Sequence, residues 1–326
     1  MSRVVKVAIA GCGTVGGALV ELLDRHAEAI QRRRGQRYAV TRVLVRDAKR
    51  PRGLPLDRAL FTERVDEFLE TPADIVVEAI GGTGVARTVA QGALRRGRRL
   101  VTANKALLRV EGPVLDALAR VHRADGAALD FEAAVGGAVP VVRLLRESLA
   151  GQGLQRIRGV LNGTTNYILS RVERGLPFAE ALAAAQRAGF AEQDPTRDLD
   201  GTDAADKIAV LAWLGFGVDP ALLDVRCRGI DESLVQEARR AAARGRALRL
   251  VATAVRIGDG VHASVAPRVV PRGHPFAQVR DEQNLIQLES ESAGTLTVAG
   301  AGAGGSATAS AALADILRHG ASDAAS

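Results

Sequence analysis

Lysine is nearly absent from this chain. Of 44 basic residues only Lys6, Lys49, Lys105 and Lys207 are lysine, and the rest are arginine. Arginine therefore supplies the surface charge. A lysine that remains marks a place where arginine will not serve, above all where a proton must be given up and recovered. That singles out Lys105 and Lys207. Aromatic residues are also few, with seven Phe, two Tyr and one Trp in 326 residues. The core must be aliphatic, and few rings are available to stack on bases. The net charge of +7 and pI of about 10.2 raise nucleic-acid binding as a question. The basic residues are scattered, however, and the runs Arg32-Arg33-Arg34 and residues 95–99 fall at helix ends or turns, so no nucleic-acid partner is expected. The two cysteines, Cys12 and Cys227, have no metal-type spacing and fit a reducing cytoplasm. Charges or glycines interrupt every long apolar run, which excludes a membrane span. Lys6 breaks the apolar N-terminus and argues against a secretion signal.

What is present is a chain of alternating elements. Residues 4–10 (VVKVAIA) read as a buried strand. Gly11-Cys12-Gly13-Thr14-Val15-Gly16 follows, then a helical pattern to about residue 33. This is G-x-G-x-x-G between a strand and a helix. The first glycine makes the turn, the second lets a pyrophosphate reach the backbone, and the third lets helix and strand approach. The free N–H groups of the helix start then hold the phosphates. A second strand over residues 39–45 leads into Arg46-Asp47-Ala48-Lys49-Arg50. A basic cluster at this place, led by Arg46, favours a 2′-phosphate and hence NADP(H) over NAD(H), although Asp47 keeps NAD open. Strands at 74–80 and 99–102 flank a helix at 84–96. Ala103-Asn104-Lys105 then opens a helix to about residue 123, so Lys105 lies just past the carboxyl end of a strand, where open α/β sheets bind ligands. After a strand at 127–131, the small residues of 132–140 leave backbone carbonyls accessible. Such a loop can coordinate a monovalent cation or serve as a hinge.

From residue 138 the alternation stops. A strand at 157–161 and a polar turn, Asn162-Gly163-Thr164-Thr165-Asn166, precede helices. Strands follow near 248–257, 261–267 and 283–289. The expected fold class is α/β: a Rossmann-type dinucleotide-binding domain over residues 1–137, completed by a C-terminal helix at 305–320, plus an α+β substrate-binding and dimerisation domain over 138–304. The glycine-rich segment 299–306 reads as a loop approaching the cofactor, with the terminal helix docking on the first domain. Only the last few residues look disordered.

Residues 185–207, AQRAGFAEQDPTRDLDGTDAADK, carry the acids Glu192, Asp194, Asp198, Asp200 and Asp203 before a helix that becomes apolar beyond Lys207. Thr202 is expected to cap that helix. Asp203 and Lys207 share a face at i,i+4, at the mouth of a helix that looks buried. Asp194 and Asp198 are expected only to shape the loop, and Asp206 only to favour the helix start.

The chain resembles the homoserine dehydrogenase family over essentially its whole length. The resemblance is carried by the stretch from Ala185 through Gly189, Asp194-Pro195, Asp198, Gly201 and Asp203 to Lys207. The glycine-rich turn, Ala103-Asn104-Lys105, residues 132–140, Gly159-Val160-Leu161-Asn162-Gly163-Thr164 and Ala301-Gly302-Ala303-Gly304-Gly305 carry it further, in the same order. It implies a reversible NAD(P)-linked conversion of L-aspartate 4-semialdehyde to L-homoserine, on the route to threonine and methionine. It also implies a homodimer. Lys207 becomes the proton donor, with Lys105 and Asp203 as its catalytic companions and Glu192 and Asp203 as substrate-binding residues. Beside Gly11, Gly13, Thr14, Val15, Gly16 and Arg46, which the motif reading already gives to the cofactor, the resemblance places Lys105, Gly189 and Gly304 at cofactor or active-site positions. Main-chain carbonyls of Glu132, Val135, Gly137 and Val139 would bind sodium. The chain ends just after the terminal helix, so threonine feedback through a C-terminal regulatory domain is not expected. Two other readings remain: a different NAD(P)-dependent small-molecule dehydrogenase, and a cofactor-sensing regulator that is not an enzyme. The first lacks a cysteine nucleophile for acyl chemistry, and the second lacks a helix-turn-helix.

Overall fold

A computed structural model describes residues 3–318. The chain divides into two compact units. One comprises the residues up to Ala134 together with those from Gly304 onward, and the other is Val135–Ala303.

In the first unit, β1 (Arg3–Ala10) leads into α1 (Thr14–Arg25) and α2 (Ala27–Arg34), then β2 (Gln36–Leu44), β3 (Phe61–Thr62), α3 (Val65–Glu70), β4 (Ile75–Glu78), α4 (Gly84–Arg95), β5 (Arg99–Thr102), α5 (Lys105–Val121) and β6 (Ala128–Asp130). The strands form one parallel sheet in the order β3-β2-β1-β4-β5-β6. β1 is flanked by β2 and β4, so the strand order reverses there, and open α/β sheets bind ligands at the carboxyl ends of the strands beside such a reversal. Val7, Ala8, Ile9 and Ala10 are all fully buried, as a strand covered on both faces requires. Val7, Ile9, Leu19, Leu23, Val77 and Val101 share a core with Ala309, Ala312 and Ile316 of the terminal helix Gly305–Arg318. That helix is also tied to β6, through an Arg318–Asp130 ion pair at 3.0 Å. Glu132 N–H donates to the Asp315 carboxylate at 2.8 Å.

The single helix expected to about residue 33 is two, because His26 leaves helical geometry and serves as the cap of both. β2 begins at Gln36, earlier than expected, since the left-handed turn at Gly35 ends α2 directly before it. Residues 319 and 320 of the expected terminal helix, and the expected disordered tail, lie outside the described residues.

The second unit contains α6 (Val141–Arg143), continued by a π-helical stretch Leu144–Ser148. Then come β7 (Leu154–Val160), α7 (Gly163–Glu173), α8 (Phe178–Arg187), α9 (Thr196–Leu199), α10 (Thr202–Phe216), β8 (Val225–Cys227), α11 (Val235–Ala243), β9 (Arg246–Ile257), β10 (Gly260–Pro271), α12 (Pro275–Gln278), β11 (Gln283–Ser290) and β12 (Gly294–Ala301). The sheet order is β12-β11-β7-β9-β10-β8. All neighbours are antiparallel except the edge strand β8, which runs parallel to β10. Helices α7, α10 and α11 pack on β9.

Three local expectations change here. The polar turn at 162–166 is the first turn of α7, because Asn162 caps the helix by accepting from Thr165 N–H at 2.8 Å. The glycine-rich segment 299–306 is mostly ordered structure. Ala299, Gly300 and Ala301 end β12, and Gly305 opens the terminal helix. Ladder hydrogen bonds hold small residues that side-chain pattern alone could not assign to a strand. Finally, Thr202 is not the cap of α10. Gly201 holds that place with φ 88°, and the turn aims the Asp200 carboxylate at Thr202 N–H, 2.7 Å away.

Candidate active site

In the first unit the glycine turn at residues 11–16 has the geometry that its glycines predict. A Cβ on Gly11 would lie 2.4 Å from Ala79 O, and one on Gly16 would lie 2.0 Å from Gly11 O. Both positions exclude any side chain. Gly13, by contrast, faces open space and caps α1 with no side-chain hydrogen bond. The N–H groups at the start of α1 therefore lack a competing side-chain acceptor there, and an anion can reach the backbone. Thr14 is exposed and Val15 half-buried. The start of the terminal helix meets this turn, since a Cβ on Gly305 would lie 2.8 Å from Thr14 O. A nicotinamide dinucleotide fits these features.

Arg46 is exposed just beyond β2. Asp47, the acid that could hold a ribose, is turned inward to its own loop and accepts from Lys49 N–H and Arg50 N–H at 2.9 and 3.1 Å. Arg52 closes the same loop through Asp47 O at 2.7 Å. Lys105 is the first residue of α5 and is half-buried. Asn104 caps that helix by accepting from Leu107 N–H at 3.0 Å.

In the second unit α10 is apolar nearly all round, and Asp203, Asp206 and Lys207 are buried with it. Asp203 and Lys207 share a face, and Lys207 Nζ lies 2.7 Å from Asp203 Oδ2. Nζ also donates to the Leu161 carbonyl at 2.8 Å, just past the end of β7. Asn284, fully buried on β11, donates to the same carbonyl at 3.3 Å. One side-chain amide then joins two carboxylates: Asn162 Nδ2 donates to Asp203 Oδ2 at 3.0 Å and to Asp198 Oδ1 at 2.7 Å. Its Oδ1 is committed to the cap of α7, which fixes the orientation of the amide.

Asp198 therefore does more than shape its loop. Burial pushes its carboxyl above the ordinary range, and the Asp203 charge adds to this. Hydrogen bonds from Asn162 and Thr164 and the charge of Lys207 pull the other way. Asp194 does shape the loop: the hydroxyl and N–H of Thr196 both donate to it and hold its carboxyl low. Asp206 is more than a helix-start acid, because Arg197 pairs with it at 2.7 Å. Glu192 is exposed, and Gln186 fixes its backbone carbonyl at 3.2 Å. Gly189 and Gly304 are exposed, with φ of 77° and 104°.

Glu132, Val135, Gly137 and Val139 are buried. Gly136 and Gly137 take positive φ, which breaks the regular run of the chain, and the Val139 carbonyl already accepts from Val141 N–H at 2.8 Å. Among the described residues no group of three His, Cys, Asp or Glu side chains could hold a metal, and no helix is long and apolar enough to cross a membrane.

Sequence reasoning passed over Asn162, Asp198 and Asn284 as members of the Lys207 site. Asn162 had a signal, an N-cap residue directly before a helix. Asn284 had none, because it sits in an otherwise ordinary strand.

Comparison with known proteins agrees with this geometry. The family model for homoserine dehydrogenase matches residues 140–317, and that for the homoserine dehydrogenase NAD-binding domain matches residues 11–132. The homoserine dehydrogenase of Bacillus subtilis is 35% identical over 294 residues, and that of Mycobacterium tuberculosis is 40% identical over 299. Each match covers 90% of this chain and 67% of the relative. The crystal structure of a homoserine dehydrogenase from Thiobacillus denitrificans matches with a TM-score of 0.87 and 35% identity, covering 99% of this chain and 74% of that one. A hyperthermophilic archaeal homoserine dehydrogenase in complex with NADPH matches with a TM-score of 0.79 and 26% identity, covering 99% and 98%. A nicotinamide-binding parallel sheet, a second unit centred on a buried lysine–aspartate pair, and family matches across both units lead to one conclusion: the chain belongs to the homoserine dehydrogenase family of NAD(P)-dependent oxidoreductases.

Proposed function

We propose that this enzyme interconverts L-aspartate 4-semialdehyde and L-homoserine with Lys207 as the proton donor, and that it prefers NADP(H). The observation that carries the reading is the buried Lys207 ammonium, held between Asp203 and the Leu161 carbonyl. When bound, the nicotinamide supplies or accepts the hydride at the substrate carbon. The carbonyl oxygen gains charge in that step, and a fixed ammonium stabilises it and then delivers its proton from Nζ. Asp203 orients the ammonium and offers an acceptor to the substrate. Exposed Glu192 pairs with the substrate's α-ammonium. Lys105 acts at the reacting centre or on the nicotinamide, and Gly189 and Gly304 supply close backbone approach to the cofactor. The turn at Gly11, Gly13, Thr14, Val15 and Gly16 holds the phosphates, and Arg46 takes the 2′-phosphate.

The carbonyls of Glu132, Val135, Gly137 and Val139 are the proposed ligands of a sodium ion. The bond that Val139 already accepts leaves it a second lone pair. Two copies pair through the open sheet of the second unit, and the enzyme works in the cytoplasm on the route to threonine and methionine.

The test is NADP⁺ reduction with L-homoserine as the sole substrate. The wild-type chain should reduce NADP⁺, and Lys207→Arg should fold, keep the charge and lower kcat by about 10²–10⁴. No rate with homoserine sinks the activity, and near wild-type kcat in Lys207→Arg sinks the proton-donor role alone.

A further inference from the structure

Glu78 ends β4 and is fully buried. Among the described residues, all its side-chain hydrogen bonds come from neutral donors. Oε2 accepts from the Thr102 hydroxyl at 2.6 Å, and Oε1 accepts from Ile80 N–H, Gly81 N–H and Asn104 Nδ2 at 2.9, 3.3 and 3.3 Å. A carboxylate buried among neutral groups is costly in a parallel sheet, where an apolar residue would normally stand. Its hydrogen bonds converge on two loops at the carboxyl edge of the sheet. One is the 79–82 turn, whose Ala79 carbonyl packs on Gly11 so closely that no Cβ fits there. The other is the entry to α5. Asn104 donates to Glu78 and, at 2.7 Å, to Gly82 O, while its Oδ1 caps the helix whose first residue is Lys105.

We infer that Glu78 is a positioning residue for the reaction: through Asn104 it fixes the first turn of α5, and with it the place of the Lys105 ammonium. This rests on the reading that Lys105 serves the active site. The carboxylate acts at one remove. It clamps the asparagine that starts the helix, and the same clamp holds the 79–82 turn against the phosphate turn.

Asn104→Ser tests this, because serine keeps an N-cap acceptor but is too short to reach Glu78 and Gly82. In an otherwise wild-type chain the substitution should lower kcat/KM for homoserine by about ten- to a hundredfold, the scale of a displaced reacting group. In a Lys105→Ala background it should cost less than about twofold, since coupled residues are not additive. A second reading needs no turnover. With only four lysines, amine acylation followed by peptide mass spectrometry resolves each one. The rate at Lys105 should rise by about threefold as the helix start loosens, with Lys6 and Lys49 unchanged. Glu78→Gln, which keeps the shape and removes the charge, should move both readouts in the same direction by less, and thermal melts identify any variant that has unfolded. Equal losses in both backgrounds, or an unchanged Lys105 labelling rate in folded Asn104→Ser, overturn the proposal alone. Near wild-type kcat/KM in Lys105→Ala removes Lys105 from the site, and the proposal falls with that reading.

Discussion

Asn104 in the first unit and Asn162 in the second use one device: each caps a helix with its amide oxygen and donates to carboxylates with its amide nitrogen. The lysines that follow differ in burial. Lys207 is buried and touches its carboxylate directly, with a carbonyl as second partner. Lys105 is half-buried, and the Glu78 carboxylate grips the start of its helix through Asn104. A buried ammonium needs a counter-charge in contact because water cannot supply one. A half-buried one keeps part of its hydration. The two lysines therefore differ in burial, and the desolvated one depends more on the charge in contact with it.

The largest test of this contrast is removal of each charge. Lys207→Met should cost about 3–5 kcal/mol, because it leaves Asp203 buried without its cation. Lys105→Met should cost less than about 1 kcal/mol, the range of partly exposed sites. Urea unfolding of both variants decides, and equal losses would break the comparison. Next is the cofactor side of the first unit. Arg46→Ala should lower the preference for NADPH over NADH by about tenfold or more, the worth of a hydrogen bond to a charged group. Paired titrations measure it, and an unchanged ratio removes Arg46 from recognition.

A third test uses Asp198. Its folded carboxyl lies above the ordinary aspartate value, so the folded state prefers the protonated form. The stability from that proton is fully present below the unfolded value and is lost as pH rises through the raised folded value. Asn mimics the protonated carboxyl and keeps an acceptor for Asn162. Asp198→Asn should therefore match the wild-type Tm at low pH and exceed it increasingly towards pH ~7. A constant difference across the pH series would show that the carboxyl charge is not the cause. The smallest effect is expected at Arg197, whose side chain is 62% exposed beside Asp206. Arg197→Ala should cost only about 0.2–1 kcal/mol and leave turnover intact, and a large loss of kcat would draw Asp206 into the Lys207 site.

Much of the first unit was legible from local pattern. A continuous apolar strand, a glycine turn and an amphipathic helix each obey constraints within a few residues, and the close approaches at Gly11 and Gly16 are what those glycines foretell. The break at His26 was not legible, because the apolar stripe carries on to Ile30, which is also buried. In the second unit, β12 was missed because ladder bonds to β11, not side chains, place Ala299 to Ala301 in a strand. The cap of α10 went to Asp200 through the left-handed Gly201, a backbone choice that residue preference assigned to Thr202.

Local pattern alone is enough for the family, the glycine turn, and the shared face of Asp203 and Lys207, since an i,i+4 pair on a helix meets wherever the helix lies. Packing of distant elements is what buries this pair, brings Asp198 to Asp203 through Asn162 across 36 and 41 positions, and lets Asn284 reach the same carbonyl as Lys207 across 123. Glu78 belongs with these. In sequence it is one acid closing an apolar strand, and its clamp on Asn104 exists only because β4 and β5 lie side by side in the sheet. Periodicity records which residues share a face, whereas a hydrogen bond between distant segments depends on how whole elements pack.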